Sequence, residues 1–192
     1  MLEPDKIYHV YNRGNNRENL FYKPENYGYF LKLFKKYMSD ILDVYVYCLL
    51  PNHFHFLVKI KEIDLESLQD LPGLVSNRFR LFFMAYSKAI NKQQNRRGSL
   101  FQKGFKSKEV NDDHYFSQLI FYIHANPQLH RLTDNFQNWP YSSYAAILKQ
   151  SGSIVLEKEI IQWFGSPEEF EKFHVQGMDS EIILRLLELE QP

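Results

Sequence analysis

Between Val44 and Ile60 the chain carries two β-branched and aromatic runs, Val44 to Leu49 and His53 to Ile60, parted only by Leu50-Pro51-Asn52. Two such runs joined by a tight proline-containing turn pair most directly with each other, so an antiparallel hairpin is the fixed point around which the rest must be arranged. Ahead of it, Ile7 to Asn12 reads as a first strand, closed by the turn-rich Asn12-Arg13-Gly14-Asn15-Asn16-Arg17. Pro24 suits the first turn of a helix, and Tyr27, Phe30, Leu31, Phe34, Tyr37 and Met38 then recur at helical spacing to about residue 39. Behind the hairpin, after Asp70-Leu71-Pro72, the residues Val75, Phe79, Phe82, Phe83, Tyr86 and Ile90 mark a long helix to about residue 92. Phe101 to Val110 is expected to be extended. Asn111-Asp112-Asp113 caps a further helix with Phe116, Leu119, Ile120 and Ile123 on its core stripe, which Pro127 is expected to end at Asn126. The order β-α-β-β-α-β is the ferredoxin-like α+β pattern, an antiparallel sheet with helices packed against it. Residues 1–148 are expected to form this domain, closed by a turn and short helix over 128–148, with an acidic helical extension over 149–192.

Such a fold hosts many activities, so function has to be read from side chains. The single cysteine, Cys48, lies in an apolar run, which excludes an intrachain disulfide and a thiolate zinc cluster and fits a reducing compartment. Met1-Leu2-Glu3-Pro4-Asp5-Lys6 has no signal-peptide character and no apolar run approaches a membrane span, so the expectation is a soluble cytoplasmic protein with no membrane partner.

Charge is informative once it is divided along the chain. Twenty-three Lys and Arg balance twenty-three Asp and Glu. From Ser76 to Lys108, however, there are Arg78, Arg80, Lys88, Lys92, Arg96, Arg97, Lys103, Lys106 and Lys108 and no acid, a local +9. From residue 151, Glu157, Glu159, Glu168, Glu169, Glu171, Asp179, Glu181, Glu188 and Glu190 face only Lys158, Lys172 and Arg185, a local −6. The one-signed basic stretch suits phosphate neutralisation, and Arg13 and Arg17 in the first loop would add to it. The interleaved Phe79, Phe82, Phe83, Tyr86, Phe101 and Phe105 could stack on bases, but core packing is the simpler reading for them.

Two further patterns could carry chemistry. In His53-Phe54-His55 the strand alternation points both imidazoles to one face, half of a metal site or equally a pair of ordinary hydrogen-bonded histidines. Tyr122 and Asn126, four apart on a helix, share a face whose tyrosine hydroxyl is expected at the edge of the core; His124 points nearly the opposite way. A lone tyrosine among 13 is more often a packing residue than a nucleophile.

Taken together, Tyr8-His9-Val10-Tyr11-Asn12-Arg13-Gly14, the run from Tyr47 to His55, Gly98-Ser99-Leu100-Phe101-Gln102, Phe105-Lys106-Ser107 and Tyr122-Ile123-His124-Ala125-Asn126-Pro127 resemble the single-tyrosine HUH transposases, and among them the REP-associated tyrosine transposases. The likeness runs from about residue 6 to 148. It implies that His53, His55 and Asn126 hold a divalent metal, Mg²⁺ or Mn²⁺, and that Tyr122 attacks single-stranded, hairpin-associated DNA. A 5′-phosphotyrosine and a free 3′-OH would result, and reversal by another 3′-OH would join strands. Metal assistance is chemically sensible, because a tyrosine with pKa near 10 is only about 0.1% phenolate at pH 7. Bond energy kept in the covalent link makes an ATP site unnecessary, and no Walker-type glycine loop is present. Gly104 and Phe121 stand where relatives usually carry arginine. Two competing readings stay open: a non-catalytic nucleic-acid-binding module, and a hydrolase using metal-activated water. Monomer and homodimer are both compatible with the sequence. The acidic extension is expected either to cover the basic groove as a DNA mimic or to pack as a regulatory helix pair.

Overall fold

The computed structural model describes residues 2–62 and 71–176. Strand β1 (Ile7–Arg13) is followed by helix α1 (Pro24–Met38), the hairpin strands β2 (Leu42–Leu50) and β3 (His53–Ile60), helix α2 (Leu71–Gln93), strand β4 (Lys106–Val110) and helix α3 (Asp113–Leu129). The short helices α4 (Tyr144–Lys149), α5 (Glu157–Phe164) and α6 (Pro167–Gln176) complete the described chain. Between β1 and β4 the anticipated ferredoxin-like order is present, and the four strands form one antiparallel sheet in the order β2-β3-β1-β4.

Strand alternation sorts the sheet into two faces. Phe54, Phe56, Val58 and Ile60 of β3 point to α1 and α2, where Phe30, Phe34, Phe79, Phe82 and Tyr86 are all buried against them. The phenylalanines of α2 are therefore core, as expected, and its cations are its outer face. The opposite face presents His53 and His55 from β3 and their cross-strand neighbours on β1, with α3 packed over β2 and β3.

Local chemistry sets the element ends. Asp112 caps α3 by accepting a hydrogen bond from the Tyr115 amide at 2.7 Å. The Pro51-Asn52 turn is anchored from outside, its Pro51 carbonyl accepting from the amides of Leu20 and Phe21 at 2.7 and 3.0 Å. Gly14 is a steric requirement: a Cβ there would lie 1.9 Å from the Glu18 carbonyl oxygen.

Several boundaries differ from expectation, β2 among them, which runs from Leu42 to Leu50 and not from Val44 to Leu49. α3 does not stop at Asn126 but runs through Pro127 to Leu129, because a proline in the last turn removes a single amide hydrogen bond, and the His130 amide still reaches the Asn126 carbonyl at 3.0 Å. Only 106–110 of the stretch from Phe101 to Val110 is strand; Phe101 makes one isolated bridge with Gly14, and Gly104 bends the chain at φ +75°. β1 extends one residue further, to Arg13.

The acidic region is helical at α5 and α6. Val155 bridges Val44 at the free edge of β2, Trp163 of α5 stacks edge-on against Phe116 of α3, and His174 of α6 reaches His124 of α3. In its described part it packs as a helix pair on α3 and does not lie over α2. Asp179, Glu181, Arg185, Glu188 and Glu190 lie outside the described residues, as does Asp70.

Candidate active site

Register explains how four separate elements converge. Within the β1–β3 ladder Tyr11 lies opposite His55 and Arg13 opposite His53, and within the β1–β4 ladder Lys106 lies opposite Tyr11 and Lys108 opposite His9. Side chains directly opposite share a face, so His9, Tyr11, Arg13, His53, His55, Lys106 and Lys108 all stand on the sheet face that α3 partly covers. From α3, Asn126 and Tyr122 reach down to the histidine pair. His53 Nε2 is 3.2 Å from Asn126 Oδ1, and the Tyr122 ring lies edge-on to the His55 ring with centroids 6.1 Å apart.

The expected quartet is thus brought together, with one correction. Tyr122 is not at the edge of the core but 0% exposed, because α3 is buried on two sides. The sheet covers one and α4 to α6 the other, so every residue from Leu119 to Pro127 is buried. His124 does point away from Tyr122, as anticipated, into the second of these interfaces.

Hydrogen bonding defines which ring nitrogens face the centre. His53 Nδ1 is 2.7 Å from Asn52 Oδ1. An amide oxygen only accepts, so Nδ1 carries the proton and a neutral ring turns a lone pair at Nε2 toward Asn126 Oδ1. Two acceptor atoms then face each other while Asn126 Nδ2 is buried with no hydrogen-bond partner among the described residues. As placed, Oδ1 and Nε2 converge as two atoms able to ligate a cation, whereas a half-turn of the amide would let Nδ2 donate to Nε2 and satisfy both groups. His55 Nδ1 is 2.9 Å from His9 Nε2, which leaves Nε2 as the coordinating nitrogen of His55. Burial, then the nearby His130 and Arg13, push the His55 pKa down to about 3, so this imidazole is neutral at physiological pH, the form that ligates metals. A cavity of about 10 Å³, room for one water-sized occupant, opens beside the pair between Tyr11, Asn12, Arg13, Gln102 and Lys106. Two imidazole nitrogens and one carboxamide oxygen therefore fit a small divalent cation of the Mg²⁺ or Mn²⁺ kind. Among the described residues no group of three His, Cys, Asp or Glu side chains is placed to hold a metal, and the third donor beside His53 and His55 is the Asn126 carboxamide.

The expected DNA-contacting cations divide into two groups. Arg13 and Lys106 line the cavity, Lys106 lies 5.9 Å from the Tyr11 ring centroid, and Lys108 stands on the same face 4.8 Å from the Tyr115 ring. The loop carrying Arg17 packs along the segment before β4, which carries Arg97 and Lys103, all three exposed. Arg78 and Arg80, in contrast, belong to α2 on the other side of the sheet, and Arg78 pairs with Asp40 at 2.8 Å. Arg96 pairs with Glu18. The local +9 is therefore partly balanced by acids from outside the segment and is not all directed at the histidine pair.

Sequence reasoning missed His9 and His130. His9 belongs to the Tyr8 to Gly14 block and alternates with Tyr11 and Arg13, but only the β1–β3 register puts it on His55. His130 follows Asn126 by four and lies with its ring centroid 4.8 Å from that of His53, a position hidden by the expectation that α3 ends at Asn126.

With this geometry in view, comparison with known proteins is consistent. A putative REP-associated tyrosine transposase of Haemophilus influenzae is 27% identical over 123 residues, covering 63% of this chain and 66%, just under two thirds, of that protein. A solved structure of a REP-associated tyrosine transposase bound to a REP hairpin superposes with a TM-score of 0.62 at 16% identity, over 79% of this chain and 84% of the other, and so shares its fold. Among the described residues no helix is long and apolar enough to cross a membrane. Residues 4–126, more than half of the chain, match the family of IS200-like transposases, from β1 to the asparagine of α3. The chain belongs to the IS200-like transposase family.

Proposed function

We propose that the chain is a DNA strand transferase of this family, cleaving and rejoining single-stranded, hairpin-associated DNA through a covalent link to Tyr122. The observation that carries the reading is the meeting of Tyr122 and Asn126 of α3 with His53 and His55 of β3 on a sheet face whose open side bears Arg13 and Lys106. The hairpin preference is supported by the relative solved with a REP hairpin.

In this mechanism His53, His55 and Asn126 would hold a divalent cation, Mg²⁺ or Mn²⁺. Such a cation would polarise a non-bridging phosphate oxygen and offset charge that builds up during displacement. Asn52 and His9 fix the two imidazoles in the ligating tautomer and orientation. Arg13 and Lys106 bind phosphates flanking the scissile one, and Tyr11, beside Lys106, offers an aromatic surface for a base. Tyr122 Oη attacks phosphorus and gives its proton to solvent, which returns one to the departing 3′ oxygen. The bond to the 3′ oxygen breaks, giving a 5′-phosphotyrosine and a free 3′-OH; attack by a second 3′-OH reverses the step and releases the tyrosine. Since Tyr122 is buried at rest, engagement of DNA must turn its hydroxyl toward the cavity.

That burial also favours a second reading, a DNA-binding protein of the same fold that does not cut. Labelled single-stranded hairpin oligonucleotides incubated with and without Mn²⁺ and resolved by denaturing electrophoresis distinguish the readings. A metal-dependent protein–DNA adduct supports strand transfer. Salt-sensitive binding without cleavage supports the binding protein, and cleavage without adduct a metal-dependent hydrolase.

A further inference from the structure

The buried face of α3 turned away from the histidine pair holds a chain of polar groups that the chemistry above does not use. His174 Nδ1 lies 2.8 Å from the Phe170 carbonyl oxygen. A carbonyl only accepts, so this nitrogen carries the proton and His174 Nε2 is an acceptor. At 2.9 Å from it, His124 Nδ1 must be the donor. His124 Nε2 is then an acceptor and takes the Ser143 hydroxyl proton at 2.9 Å, while Ser143 Oγ accepts from the Tyr47 amide at 2.9 Å. His124, Ser143 and His174 are essentially fully buried, and burial keeps both imidazoles neutral. With both imidazoles neutral the donors run in one direction, from the backbone of β2 through α3 to α6, the Tyr47 carbonyl at 3.3 Å being the longer of the two acceptors within reach of the Ser143 hydroxyl.

Apolar packing alone tolerates small rotations and slips of a helix, whereas a directional buried network selects one setting. His124 is two residues from Tyr122 and two from Asn126, so any shift of this turn moves both. We propose that His174 is a positioning residue: through His124 and Ser143 it locks α3 against β2 and holds Tyr122 and Asn126 in place over His53 and His55. The inference rests on the strand-transfer reading for its consequence and makes α6, which lies beyond the matched residues 4–126, a working part of the site. Misplacement of about 1 Å at a reacting group costs on the order of 100-fold in rate, so even a partial slip is measurable.

The test uses the full chain. Imidazole ¹⁵N NMR of the wild type should show His124 and His174 as neutral Nδ1–H tautomers; an Nε2–H tautomer at either overturns the relay. His174→Phe keeps a ring among Phe121, Phe136 and Phe170 but removes the acceptor, while His174→Gln can still donate and accept. His174→Phe should lower the rate of adduct formation at saturating hairpin DNA about tenfold, weaken Mn²⁺ binding measured by EPR at least threefold, and leave the DNA Kd within twofold. His174→Gln should recover most of both losses. An unchanged rate in His174→Phe, or equal losses in both variants that follow their melting temperatures, overturns the proposal. If the wild type forms no adduct, the strand-transfer reading fails by itself. The positioning role is then judged on Mn²⁺ affinity: loss in His174→Phe with recovery in His174→Gln upholds it, and no difference, or no Mn²⁺ binding at all, overturns it.

Discussion

His53 Nε2 and Asn126 Oδ1 face each other at 3.2 Å across the gap between β3 and α3. This pairing makes the role of Asn126 testable apart from catalysis. Asn126→Ala should weaken Mn²⁺ binding at least tenfold, whereas Asn126→Asp, which keeps an oxygen donor and adds charge, should preserve or strengthen it. His9→Ala, which removes the group holding His55, should cost roughly 10- to 100-fold. EPR titration of free Mn²⁺ checks all three; equal affinity across them would show that the cation binds elsewhere.

The division of the cations predicts a pattern in salt dependence. Lys106→Ala and Arg13→Ala should each weaken binding to a hairpin oligonucleotide and lower the slope of log K against log salt by about 0.7 to 0.9. Arg78→Ala should change neither, because Arg78 pairs with Asp40 on the far side of the sheet. A slope that falls only with Arg78→Ala would place DNA on α2.

Gly14→Ala should destabilise the protein by about 1–3 kcal/mol in urea unfolding, since its Cβ would meet the Glu18 carbonyl oxygen at 1.9 Å, and backbone must move to admit it. Gly28, with nothing within 4 Å of an added Cβ, provides the control. Equal stability of the two alanine variants would contradict the steric account of the loop.

Acid should loosen the α3–α6 interface. Burial lowers the His174 pKa from 6.5 to about 4, and its titratable neighbours across the packing are His124, itself lowered by burial and by His174, and Tyr144. The unfolded chain therefore binds more protons between these values. The stability contribution is complete above pH 6.5 and is lost as pH falls toward 4, to the extent of about 3 kcal/mol for His174. Urea unfolding of the wild type should weaken over that window, and His174→Phe should weaken less. An identical pH profile for the two would contradict the assignment.

Much of this arrangement was legible in the sequence because it depends on short-range geometry. The Pro51-Asn52 turn gave the hairpin, strand alternation put His53 and His55 on one face, and helical spacing paired Tyr122 with Asn126. His9 escaped because its contact with His55 depends on the register of strands 46 residues apart. The relay from Ser143 through His124 to His174 joins three elements by tertiary packing alone. Tyr122 was expected at the core edge because a helix with one apolar stripe has one buried face. Residues 157–176 give α3 a second, and Phe121 packs there on Phe136 and His174.

The central claim is that Tyr122 is the nucleophile, and mapping the linkage on the protein tests it most directly. Wild-type protein is incubated with Mn²⁺ and a hairpin oligonucleotide, digested, and the DNA-linked peptide sequenced by mass spectrometry, with Tyr122→Phe in parallel. The account predicts a 5′-phosphotyrosine at Tyr122 and no adduct in the variant. An adduct that persists in Tyr122→Phe, or maps to another residue, would contradict it.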